Sequence, residues 1–162
     1  MAECVILIGL PGAGKTTFYT RRLSGTHLHI SKDRFPRSAR DKQSRQEAAI
    51  RAALDEGRSI AIDNTNVSAA ERAAIISLAK GRGALIIGVF IDASTREAVA
   101  RNEQREGPEK VPKVAIFTKA KRLQPPRMDE GFDQLRAYRV RENGAFEEVP
   151  LIPADPTNPR AS

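Results

Sequence analysis

Nine residues near the amino terminus, Gly9-Leu10-Pro11-Gly12-Ala13-Gly14-Lys15-Thr16-Thr17, have the types and spacing of a loop that wraps phosphate. Glycines let consecutive backbone amides turn inward, and the amino end of a following helix adds positive potential at the same point. In such a loop Lys15 bridges β- and γ-phosphate oxygens, and the Thr16 hydroxyl ligates Mg²⁺. The expected ligand is therefore ATP with Mg²⁺, cradled by Leu10, Pro11, Gly12, Ala13, Gly14, Lys15, Thr16 and Thr17. The plainer alternative is a glycine turn that binds nothing. Two things weigh against it: every fixed position of the pattern is filled, and the loop follows an apolar run and precedes a helical one.

Holding ATP does not define what is done with it. Asp33 is the discriminating residue, because it lies just past a second short strand, where an open α/β sheet places its ligand-contacting loops. A carboxylate there can take the proton of an attacking hydroxyl, and Lys32, Arg34 and Arg37 beside it would attract an anionic acceptor. The plainer role for Asp33 is to cap the next turn. Asp63 ends an apolar strand, as a magnesium-binding acid does. Asn64 and Asn66 then offer amides near the same edge, as substrate contacts or simply as turn formers. Arg101 and Arg105 stand four apart, which suits a helical lid over the triphosphate or equally a solvated basic face.

The elements that must position these residues alternate. Cys4–Ile8 reads as a strand buried on both faces, followed by a helix from Lys15 to about Leu23 and a short strand at His27–Ile30. A helix over Asp41–Glu56, a strand at Ser59–Ile62, a helix from Ser68 to Lys80 and a strand at Ala84–Ile91 continue the pattern. Ser68-Ala69-Ala70-Glu71 and Ser94-Thr95-Arg96-Glu97 are capping boxes. The second opens a helix toward Arg105, and Val111–Leu123 is a further one. Leu135–Val140 and Ala145–Val149 flank Asn143-Gly144 as a terminal hairpin. The fold expected is α/β, a single P-loop NTPase domain over residues 1–150. It has a central parallel sheet of about five strands with helices on both faces, and residues 151–162 form a flexible tail.

The chain has 162 residues, enough to bury about two-thirds of its unfolded surface. It contains no tryptophan and few aromatic residues, so its core must rest on aliphatic side chains. No apolar run is long enough for a membrane helix, the start does not resemble a signal peptide, and the single Cys4 forms no internal disulfide. A cytoplasmic location is expected. The net charge of +7 is concentrated in two stretches: +4 between Ser31 and Arg45, and +5 between Arg101 and Arg127. Such clustering leans toward a polyanionic partner rather than scattered solvated charge.

Taken together, Gly9 to Thr17, Ser31-Lys32-Asp33, Ile62-Asp63-Asn64-Thr65-Asn66, Arg101-Asn102-Glu103-Gln104-Arg105, and Val111-Pro112 with Glu130-Gly131-Phe132 form an ordered set. In this set the chain resembles the kinase domain of polynucleotide 5′-hydroxyl kinases, a branch of P-loop kinases related to the zeta toxins, over about residues 4–135. The resemblance implies that Asp33 is the general base toward a 5′-hydroxyl and that Arg105 contacts ATP phosphates from a lid, with Arg101 nearby. It also implies that Asp63 is an essential acid. Some members of that family carry an arginine shortly after the base to grip the acceptor's phosphate, and Arg34 or Arg37 is the corresponding candidate. Two further readings use the same cradle: a kinase of a small metabolite, nucleotide or antibiotic, and a non-catalytic ATP-binding module.

Overall fold

In the segment Cys4–Ile8 every side chain is apolar, so a strand here must be covered on both faces. The computed structural model of the chain, which describes residues 1–151, places this strand, β1 (Glu3–Ile8), at the centre of a six-stranded sheet. The others are β2 (Leu28–Ile30), β3 (Ile60–Asp63), β4 (Leu85–Ile91), β5 (Gln134–Val140) and β6 (Phe146–Val149). The order across the sheet is β2-β3-β1-β4-β5-β6. The first five are mutually parallel, and β6 returns antiparallel on β5 as the expected hairpin.

Alternation along β1 divides the core. Cys4, Ile6 and Ile8 face one layer together with Ile30, Ile50, Ile60, Ile62, Ile75 and Ile86. Val5 and Leu7 face the other with Phe18, Ala61, Val89, Ile91 and Ile116. The first layer is closed by the helices α2 (Lys42–Asp55) and α3 (Ala69–Lys80). The second is closed by α1 (Lys15–Arg22), α4 (Thr95–Glu103) and α5 (Lys113–Arg122). The aliphatic core follows from the composition, since few large aromatic side chains are present to fill it. Among the described residues no helix is long and apolar enough to cross a membrane.

Local signals set the helix starts. The Ser68 hydroxyl accepts from the Glu71 amide at 3.1 Å, and Ser94 does the same for Glu97 at 3.1 Å. The reciprocal half of each capping box is replaced by an ion pair across the surface, Glu71 with Arg122 and Glu97 with Arg139. Helix α4 ends at Glu103, so Arg105 lies past its carboxyl end rather than on the same helical face as Arg101. Leu151, first residue of the expected tail, packs against the core; the remainder of that tail lies outside the described residues.

One buried polar contact ties distant segments together. Arg72 is fully buried on α3, and its guanidinium donates along one edge to both carboxylate oxygens of Glu130, at 2.8 and 3.0 Å. It also donates to the Asn66 carbonyl at 2.8 Å. Removing the acid strands a buried cation, which costs far more than a surface pair would. Glu130→Ala is therefore expected to lower the unfolding free energy by about 3 kcal/mol. A urea titration should show its midpoint falling well below that of an exposed change such as Asp129→Ala.

Candidate active site

Strand β1 leads directly into the glycine loop, and the loop closes on its own lysine. Gly12 and Gly14 adopt left-handed backbone conformations, φ +85 and +111, so both turns need glycine. At Gly12 there is a second reason, because a Cβ would sit 2.5 Å from the Ala98 carbonyl oxygen of α4. Lys15 is buried, and its ammonium donates to the carbonyls of Gly9 and Leu10 at 3.0 and 2.9 Å. Burial pushes its pKa down to about 8; Asp63 and Asp33 oppose that shift, while Arg105 and Lys119 add to it. These four groups therefore all lie within electrostatic reach of the lysine.

The remaining cradle residues divide by burial. Leu10 and Ala13 are core residues that anchor the loop, Pro11 is half-buried, and Thr16 and Thr17 are exposed on the first turn of α1. In the sheet Asp63 is the register partner of Leu7, which brings the end of β3 beside the loop. The Thr16 hydroxyl donates to Asp63 Oδ2 at 2.7 Å. Burial would raise the Asp63 pKa, but the hydrogen bond from His29, the charge of Lys15 and the bond from Thr16 outweigh it. The carboxyl is held below its ordinary value of 3.8.

Both bonds to Asp63 end on Oδ2, so Oδ1 takes no hydrogen bond from a described residue. A hydroxyl and an ionised carboxylate in contact are the hard oxygen donors that Mg²⁺ favours. Two protein ligands completed by phosphate and water are the usual arrangement for this ion. That pattern is consistent with the lack of any group of three or more acidic, histidine or cysteine side chains able to hold a metal among the described residues. The pair fits magnesium.

Asp33 lies in a 3-10 turn, Lys32–Arg34, capped by the Ser31 hydroxyl, which accepts from the Asp33 amide at 3.2 Å. Ser31, and not Asp33, caps this turn. The Asp33 carboxylate is exposed and makes no hydrogen bond or ion pair with another described residue. Arg34 and Arg37 are exposed beside it, and Arg34 leans back to His29.

Three candidate contacts have other duties. Asn64 uses both ends of its amide internally: its Oδ1 accepts from the Lys32 amide at 2.9 Å, and its Nδ2 donates to Gln46 at 2.7 Å. It thereby fixes the Asp33 turn. Asn66 is buried in a left-handed conformation, φ 48, with its amide donating to the Leu7 carbonyl at 2.7 Å. Arg101 donates to the Ala13 carbonyl at 3.0 Å and so clamps α4 onto the loop. Arg105 points a long contact at the Glu109 carbonyl, 3.4 Å, and keeps its charge near Lys15.

Sequence reasoning missed His29 and Lys119. The His29 Nε2 lies 2.8 Å from Asp63 Oδ2, and its ring stacks on Tyr19 with centroids 4.3 Å apart. The available signal was that both histidines of the chain fall in one short strand pattern, His27-Leu28-His29-Ile30. Lys119 carried no comparable signal, since it is one of many lysines on a basic helix.

The chain belongs to the AAA_33 family of AAA domains, whose model matches residues 4–126. That span takes in the glycine loop, Asp33, Asp63, Arg101 and Arg105. Its fold is that of a P-loop NTPase, and solved structures share it. One is a chain of the AvrRxo1-ORF1:-ORF2 complex with ATP, at TM-score 0.70 and 18% identity over 92% of this chain. This chain spans only 57% of that one. A fungal RNA kinase aligns at TM-score 0.64 and 20% identity over 85% of this chain and 76% of its own. A gluconokinase from Sinorhizobium meliloti 1021 aligns at TM-score 0.60 and 19% identity, over 85% and 82% respectively.

The low carboxyl pKa of Asp63 has a consequence for stability. A depressed acid stabilises the folded state fully above its unfolded pKa, and that contribution is lost as the pH falls through the folded one. The stability gap between the wild type and Asp63→Asn should therefore be constant above about pH 5 and close as the pH falls below 3.8. Urea midpoints measured from pH 6 to pH 2.5 will show this narrowing; a gap that widens on acidification would contradict it.

Proposed function

We propose that this chain transfers the γ-phosphoryl group of ATP to a hydroxyl, with the 5′-hydroxyl of a nucleic acid strand as the favoured acceptor. The observation that carries the reading is the convergence of an unpaired, exposed carboxylate, Asp33, with the buried Lys15 and the Asp63–Thr16 pair. A nucleotide-binding module needs the last three only; a free acid beside them is what a hydroxyl donor requires.

Phosphate entering the loop would draw the Lys15 ammonium off the Gly9 and Leu10 carbonyls and onto its own oxygens. Thr16 and Asp63 would hold Mg²⁺, which neutralises charge on the phosphates. Asp33 takes the proton of the acceptor hydroxyl as the new O–P bond forms and the bond to the leaving ADP oxygen breaks. Arg105 stabilises charge on the equatorial oxygens. Arg34 and Arg37 stand next to Asp33, where a phosphate adjoining the acceptor hydroxyl would lie.

Support for a polymeric acceptor comes from charge. Arg37, Arg40 and Arg45 are exposed in the segment that follows Asp33, and Lys121 is exposed on α5 along with Lys113 and Arg122, which pair with Glu103 and Glu71. The fungal RNA kinase shares the fold. The gluconokinase shares it too and favours the second reading, a small polyhydroxylated acceptor. Salt separates the two, because binding of a strand through several cations weakens steeply with ionic strength, whereas a compact acceptor escapes most of that effect.

The test is transfer of labelled γ-phosphate to a 5′-hydroxyl oligonucleotide, with a 5′-phosphorylated control and D-gluconate in parallel. Asp33→Ala should lower kcat by about 10²–10⁴-fold while nucleotide affinity stays within about threefold. Transfer to D-gluconate alone would replace the polymer reading, and full activity in Asp33→Ala would remove Asp33 as the base.

A further inference from the structure

Asp63 is not oriented by Thr16 alone. His29 Nε2 meets the same Oδ2 at 2.8 Å, and its Nδ1 meets Arg34 Nη1 at 3.3 Å. A guanidinium has hydrogens to give and no lone pair to accept with, so Nδ1 must be the acceptor of that contact. The ring proton then sits on Nε2 and is donated to Asp63. Tyr19 stacks on the imidazole at an interplanar angle of 23°, and its hydroxyl is itself fixed on the His27 carbonyl at 2.7 Å. The ring is held on one face and at both nitrogens.

We propose that His29 is a positioning residue for the metal-binding acid: it pins Asp63 Oδ2 and so presents Oδ1 toward the cation. The inference rests on Thr16 and Asp63 holding Mg²⁺ as proposed above. An imidazole that donates to a ligating carboxylate typically sets the ligand's orientation, and losing such a partner costs about 10–100-fold in metal affinity. The same ring joins Asp63 to Arg34, which adjoins Asp33. The acid on the nucleotide side and a cation on the acceptor side therefore share one rigid support.

Two amide substitutions separate the contacts of the ring. The Gln amide reaches as far as Nε2 and can still donate to Asp63, whereas the Asn amide reaches only as far as Nδ1. The measurement is binding of a fluorescent ADP analogue to the full chain across a Mg²⁺ titration, without any acceptor. His29→Ala and His29→Asn should raise the Mg²⁺ needed for half-maximal enhancement about tenfold, while affinity without Mg²⁺ stays near that of the wild type. His29→Gln should restore it to within about threefold.

Wild-type Mg²⁺ dependence in His29→Asn, or a Gln variant as impaired as the Ala variant, would overturn the proposal. Long-range ¹⁵N–¹H correlation on the unsubstituted protein gives a check that needs no variant to fold. It should report the proton on Nε2, and a proton found on Nδ1 alone would overturn the proposal equally. Neither readout uses a phosphate acceptor. Failure to find an acceptor would thus sink the kinase reading and leave the positioning role of His29 standing.

Discussion

The site is arranged around a buried cation that has no acid hydrogen-bonded to it. The Lys15 ammonium is out of solvent, and its two hydrogen bonds go to neutral carbonyls of its own loop, not to an acid. Such a group is costly, which is why its proton is loosely held. The loop tolerates it only because the surrounding structure is over-determined. Gly9 is held by the Thr65 carbonyl at 3.0 Å, Ala13 by Arg101 and Leu7 by Asn66. A rigid cradle with an under-satisfied cation at its base is an anion site waiting to be filled, and an anionic phosphate relieves the cost.

The same reasoning explains why so many polar side chains point inward. Asn64 and Gln46 hold the Asp33 turn against α2, and Asn102 clasps both backbone groups of Val111, at 2.6 and 2.9 Å, to join α4 to α5. Each is a bridge between separate elements of the chain. Together they place Asp33, Arg105 and Lys119 within electrostatic reach of Lys15, although the exposed Asp33 carboxylate itself takes no hydrogen bond from a described residue. Leaving the reactive groups free while fixing the backbone beneath them suits a site that must accept two substrates in turn.

The parts legible in the sequence were those settled by neighbours in the chain. The glycine loop, the serine caps of α3 and α4, the apolar strands and the Asn143-Gly144 hairpin all depend on residues a few positions apart, and all stand where local rules put them. Asn64, Asn66 and Arg101 carried the right types for a site, yet their amides and guanidinium are engaged by groups brought near only by the β2–β3 and β1–β3 pairings and by the packing of α2 and α4. His29 was hidden for the same reason. Its partner, Asp63, lies 34 residues on and becomes a neighbour through the parallel pairing of β2 with β3.

Lys15 is the group the phosphates would meet, and its proton offers the most direct test of that role. With a pKa of about 8 in the free protein, Lys15 is only about half charged at pH 8, and an adjoining phosphate would hold it fully charged. Calorimetric titration of Mg²⁺-ATP at pH 8, in two buffers of different ionisation heat, should therefore show uptake of about half a proton per nucleotide bound. The uptake should fade as the pH is lowered toward 7. Binding in the wild type with no proton uptake at pH 8, and none appearing as the pH is raised toward about 9.5, would contradict this role, since the nucleotide would then be held without its phosphates stabilising the charge on Lys15.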